Sequence, residues 1–122
     1  MINQLIISRF YFGIVKGLVL MKLYHVTLRS NLESILSNGL IPDIGERSYD
    51  AGETQKFVFL FPTKNDVENA MLTWLGEYYC DEDVVYLEVN LPDNFPIEQG
   101  EVEYEMISRQ IIPREYISII EL

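Results

Sequence analysis

A single histidine, a single cysteine and a run of alternating carboxylates are the residues of this 122-residue chain best equipped for chemistry. His25 lies in KLYHVT, residues 22–27, where apolar and polar residues alternate and aromatic and β-branched types are frequent, as in a strand. Strand parity puts Tyr24 and Val26 on one face and His25 with Thr27 on the other, so a ring nitrogen and a hydroxyl share one side. Glu101, Glu103 and Glu105 alternate with Val102, Tyr104 and Met106, which on a strand would project all three carboxylates from one face. Such a row is either a charged sheet edge that discourages aggregation or a set from which one carboxylate enters a cleft. One histidine and Cys80, far apart in sequence, do not make a zinc site, and no metal is expected.

Positioning these groups requires a fold, and the composition supplies one. Apolar residues make up 48% of the chain, including eight Tyr, six Phe and one Trp, which argues for a globule and against disorder. The length suits one domain and not two with separate cores. After the first strand, Ser30 and Glu33 form an S-x-x-E capping box that predicts a helix to Asn38, with Leu32, Ile35 and Leu36 as its buried stripe. Gly39 supplies a left-handed stop and Pro42 bars continuation. Residues 43–56 read as a long polar loop, of the kind that often carries function. FVFLF, residues 57–61, predicts a buried strand. Thr63 and Asp66 then cap a helix with Val67, Ala70, Met71, Trp74 and Leu75 on its apolar face. Asp81 to Asp83 form a turn, and Val84 to Leu91 a strand with Val85, Leu87, Val89 and Leu91 on one face. Further strands are expected over 101–108 and 116–122. Strand, helix, strand, helix and three strands describe an α+β domain, not a regular βαβ sheet.

The charge is −10 overall and unevenly spread: every Asp and Glu lies at or after Glu33, while the first 22 residues hold only Arg9, Lys16 and Lys22. Scattered basic residues cannot release counterions from a nucleic-acid backbone, so tight sequence-independent binding to DNA or RNA is not expected. The lone Cys80 rules out an internal disulfide and suits a reducing, cytoplasmic setting. Residues 5–20, LIISRFYFGIVKGLVL, are apolar but broken by Arg9 and Lys16, too short between charges for a transmembrane span and out of order for a signal peptide. Residues 1–21 are therefore taken as an N-terminal extension, with Met21 an alternative start, and 22–122 as the domain. Glycine patterns of phosphate loops and dinucleotide folds are absent.

Three segments together resemble the ADP-ribosyltransferase-like superfamily. LYHVT-x7-IL-x2-GLIP, residues 23–42, resembles its opening: a histidine on the first strand, Ser or Thr two residues on, then a helix ending in a Gly-Leu turn. VFLFPTKNDVENA, residues 58–70, is similar to its strand and helix, and EMISRQIIPREYI, residues 105–117, to the segment that carries the catalytic glutamate. The spacing from Glu105 to Pro113 is most similar to thymidine-modifying DNA ADP-ribosyltransferase toxins, and the opening and close also to RNA 2′-phosphotransferases. The resemblance implies a small split β-sheet core with two or three short helices, and an enzyme that cleaves NAD and transfers ADP-ribose to a macromolecule. The setting it implies is a bacterial or phage toxin or effector with a neutralising partner.

It also implies roles. His25 would bond the adenosine ribose, with Thr27 supporting the same end; Phe59, where many relatives have Tyr, would pack on nicotinamide; Arg47 would contact the pyrophosphate. Glu105 would hold the 2′-hydroxyl of the nicotinamide ribose and stabilise its developing positive charge. Glu103, two residues earlier, resembles the paired acid of relatives that modify arginine, and would orient the acceptor. The missing basic surface favours a protein acceptor over nucleic acid, and disfavours the RNA 2′-phosphotransferase reading. A reading from another class stays open: a non-catalytic domain on the same fold that binds a nucleotide or a protein.

Overall fold

The computed structural model describes residues 20–43 and 56–122. Among them, six strands form two antiparallel three-stranded sheets accompanied by three short α-helices, an α+β fold. Strand β1 (Leu20–Leu28) pairs with β3 (Val84–Pro92), which pairs with β6 (Ile117–Ile120). The second sheet runs β2 (Val58–Leu60), β5 (Met106–Ser108), β4 (Glu98–Gln99). One backbone bridge joins the two sheets: Tyr24 N–H donates to the Phe61 carbonyl at 2.9 Å, and Phe61 N–H to that of Tyr24 at 2.7 Å.

Alternation along β3 produces the core. Val85, Leu87, Val89 and Leu91 are at most 2% exposed and meet Leu23, Ile35, Leu40, Val58, Leu60 and Ile112 between the sheets. In the β1–β3 register, Leu23, His25 and Thr27 stand opposite Val89, Leu87 and Val85, so the histidine and threonine occupy the inner face. Tyr24 and Val26 turn the other way, onto Phe61, Val67, Ala70 and Leu75. The first strand begins at Leu20, two residues before its expected start, and Met21 packs on the core.

The helices depart from expectation in three places. Helix α1 (Leu32–Asn38) is not opened by the Ser30–Glu33 box; a 3-10 turn over Arg29–Asn31 leads into it, and its N-cap, Asn31, makes no capping bond. Asn31 Nδ2 instead donates to Thr27 Oγ1 at 3.0 Å, so a local side-chain bond back to the strand takes the place of the cap. Leu36, expected in the stripe, is 42% exposed; a helix this short turns mainly Ile35 inward. The single helix expected to run through Leu75 is two: α2 (Lys64–Met71) and α3 (Trp74–Tyr79). They fold so closely that a Cβ on Gly76 would collide with the Met71 carbonyl. The cap of α2 forms as expected, Asp66 N–H donating to Thr63 Oγ1 at 3.0 Å.

The stop after α1 is also as expected. Gly39 has φ +80°, and a Cβ there would collide with the carbonyl of Ile112. The next residue pairs with the same strand-like segment: Leu40 N–H donates to Ile112 O and Ile112 N–H to Leu40 O, both at 2.9 Å.

The largest correction lies at residues 101–108. A continuous strand is replaced by the β4–β5 hairpin, whose turn occupies residues 101–104. Gly100 N–H donates to Glu105 O at 2.7 Å, Glu105 N–H to Val102 O at 3.0 Å, and Gln99 Nε2 to Val102 O and Glu105 O at 2.8 and 3.0 Å. Backbone and side-chain bonds that close this loop outweigh the β pattern of its residues. Four strands therefore follow the helices, not three. No helix among the described residues is long and apolar enough to cross a membrane.

Candidate functional site

Next to the Tyr24–Phe61 bridge lies a cleft of about 680 Å³. Its lining comes from the end of β1, helix α1 and the Gly39–Leu40 turn, strand β2, helix α3 and the hairpin residues Tyr104 and Glu105. Volumes of about 300–1,000 Å³ are usual for small-molecule sites. Four of the residues singled out in the sequence, His25, Thr27, Phe59 and Glu105, lie on this one surface.

His25 is fixed by its neighbour strand. Its Nδ1 lies 2.7 Å from the Phe59 carbonyl oxygen. A carbonyl can only accept, so Nδ1 carries the hydrogen. Burial pulls the imidazole pKa below its usual value, with the Phe59 carbonyl opposing more weakly. The ring is therefore neutral near pH 7, and Nε2 is left as an acceptor. Thr27, 7% exposed, accepts from Asn31 and keeps its own hydroxyl hydrogen for a further partner.

Phe59 stands edge-on to Phe57, ring centroids 4.6 Å apart at 89°, on the face of β2 opposite the buried Val58 and Leu60. Its position is set by the β2–β5 register, which pairs Phe59 with Ile107 and Leu60 with Met106. Glu105 directly precedes Met106 and so enters the cleft beside the end of β2. It is half-buried, and its Oε1 accepts from Glu101 N–H at 2.9 Å.

Glu103 does not share this placement. It sits exposed in the hairpin turn and is not part of the cleft lining, because the turn breaks the alternation that would have put it beside Glu105. Glu101 is likewise exposed, contributing its backbone N–H and not its carboxylate. Arg47 lies outside the described residues. Among the described residues no group of three or more His, Cys, Asp or Glu side chains could hold a metal ion.

Other lining residues escaped the sequence reading. Tyr104 stacks parallel to Phe61, centroids 6.4 Å apart at 8°, and meets Trp74 at 6.2 Å, giving the cleft an aromatic wall beside Glu105. Trp74 and Phe61 read as core in the sequence, and Tyr104 lay on the strand face opposite the carboxylates, so only its adjacency to Glu105 marked it. Asn31, the N-cap of α1, and Ser34 within it add polar groups, and Lys56 is the one cation among the described lining residues. Comparison with protein-family models, with curated proteins and with solved structures gave no match.

Proposed function

We propose that this chain is an NAD-dependent ADP-ribosyltransferase of the ADP-ribosyltransferase-like superfamily, with Glu105 as its catalytic carboxylate and His25, Thr27 and Phe59 as its dinucleotide contacts. The observation that carries the reading is the convergence of these four residues, drawn from positions 25 to 105, on one cleft of about 680 Å³. The split arrangement of two small antiparallel sheets is in keeping with it.

In the reaction, the bond between nicotinamide nitrogen and ribose C1′ breaks and its electron pair leaves with neutral nicotinamide. The ribose gains oxocarbenium character, an acceptor lone pair forms the new bond at C1′, and the acceptor's proton passes to solvent. A carboxylate held beside C1′ stabilises that positive charge, an effect worth about 3 kcal/mol by comparison with a preorganised oxyanion donor. Neutral His25 accepts a ribose hydroxyl hydrogen at Nε2, and Thr27 donates its own. Phe59 offers a ring face for nicotinamide. The acceptor is a protein rather than nucleic acid, since a net charge of −10 repels a polyanion. The single cysteine, exposed Cys80, suits a reducing cytoplasm, and an active toxin there requires a neutralising partner.

The same cleft, with its aromatic wall of Phe61, Trp74 and Tyr104, would also serve a second reading, a nucleotide-binding module without turnover. The test is transfer of label from adenine-labelled NAD to macromolecules in a cell lysate. Labelled acceptor with the parent and none with Glu105→Gln supports the transferase. NAD binding without labelled acceptor supports the module.

A further inference from the structure

Within the transferase reading, a carboxylate that must face a transient cation needs a fixed direction, and the structure provides a seat for it. The Glu105 side chain folds back across its own hairpin onto Gly100, and its Oε1 accepts from the next amide, Glu101 N–H, at 2.9 Å. A Cβ on Gly100 would overlap the Glu105 carboxyl group, whose carbon would lie 2.7 Å away. The loop itself is locked by Gln99, whose Nε2 donates to the carbonyls of Val102 and Glu105 at 2.8 and 3.0 Å, and by Gly100 N–H on Glu105 O at 2.7 Å. Every bond in this group joins the residues between Gln99 and Glu105.

We infer that Gly100 is a positioning residue for Glu105, absent a side chain so that the carboxylate can rest on the Gly100–Glu101 backbone and face the cleft. Gln99 holds the same loop closed through the Val102 and Glu105 carbonyls. The inference rests on the proposed activity for its catalytic consequence, but the seat itself is a matter of structure and is measurable apart from turnover.

The obstructing atom at Gly100 would meet only the far part of a side chain, so Gly100→Ala moves the carboxylate and leaves the hairpin intact. Two readouts test this on the full chain. In amide NMR spectra, the Glu101 N–H resonance moves upfield in Glu105→Ala, where its acceptor is gone, and makes the same move in Gly100→Ala. Glu105→Gln, which keeps an acceptor oxygen, stays nearer the parent. In NAD cleavage, Gly100→Ala lowers kcat about 100-fold with little change in KM, the penalty of misplacing a reacting group by about 1 Å. Adding Gly100→Ala to Glu105→Gln costs little more, because both act through one carboxylate.

A Glu101 resonance unmoved by Gly100→Ala, or parent-like kcat in that variant, overturns the inference. A parent without NAD cleavage whose Glu101 amide still responds to both substitutions keeps the seat and removes the transferase reading instead.

Discussion

His25 Nδ1 lies 2.7 Å from the carbonyl oxygen of Phe59, a hydrogen bond between residues 34 apart in sequence that ties β1 to β2 where the cleft opens. This bond fixes the tautomer, and burial keeps the ring neutral. The first prediction concerns pH. The folded-state pKa lies below the ordinary 6.5, so the unfolded chain takes up the proton first. Stability is therefore complete above about pH 6.5 and is lost as pH falls below it, toward the folded-state value. Urea midpoints measured at about pH 7.5 and 5.5 should fall for the parent, before most carboxylates titrate. His25→Asn, with an N–H donor but no titrating ring, should flatten the dependence whatever its absolute stability.

A second prediction concerns the turn after α1. Gly39 combines φ +80° with a close approach to the Ile112 carbonyl, so Gly39→Ala adds left-handed strain to a backbone collision. The expected loss is about 1–3 kcal/mol from the strain alone, read as a lower denaturation midpoint. Because Gly39 and Leu40 line the cleft, NAD affinity should fall with it.

The core offers a third test. Leu87 is fully buried opposite His25 in the β1–β3 register, whereas Leu72 is 83% exposed between α2 and α3. Leu87→Ala should cost about 2–5 kcal/mol through lost burial and the cavity left behind. Leu72→Ala should stay within about 0.5 kcal/mol. Equal effects in equilibrium unfolding would contradict the assignment of the core.

Much of this fold is legible in the sequence wherever local pattern and tertiary packing agree. Val85, Leu87, Val89 and Leu91 alternate in sequence and fill the core in space, and Thr63 caps α2 as its type suggests. Gly39 stops α1 because only glycine takes that backbone beside Ile112. The failures share a cause: short-range side-chain bonds that strand and cap patterns do not encode overrule them. Asn31 reaches back to Thr27 in place of a Ser30 cap, and Gln99 closes a turn that the alternation of Glu101 to Glu105 conceals.

The site divides in the same way. His25 and Thr27 could be placed together because parity along one strand is local. Glu105 could be named through the resemblance, but its separation from Glu103 could not, since it depends on a turn. The aromatic wall of Phe61, Trp74 and Tyr104 depends on three elements meeting, and no spacing within any one of them announces it.

The measurement that bears most directly on the central claim is release of nicotinamide from NAD by the parent, Glu105→Gln and Glu103→Gln. Gln at position 105 can still accept from the Glu101 amide, so this substitution removes charge while keeping the tether. The expected result is release by the parent, a loss of about 100-fold or more in Glu105→Gln, as for removal of one preorganised electrostatic contact, and near-parental release in Glu103→Gln. Release that survives Glu105→Gln, or no release from any of the three, would contradict it.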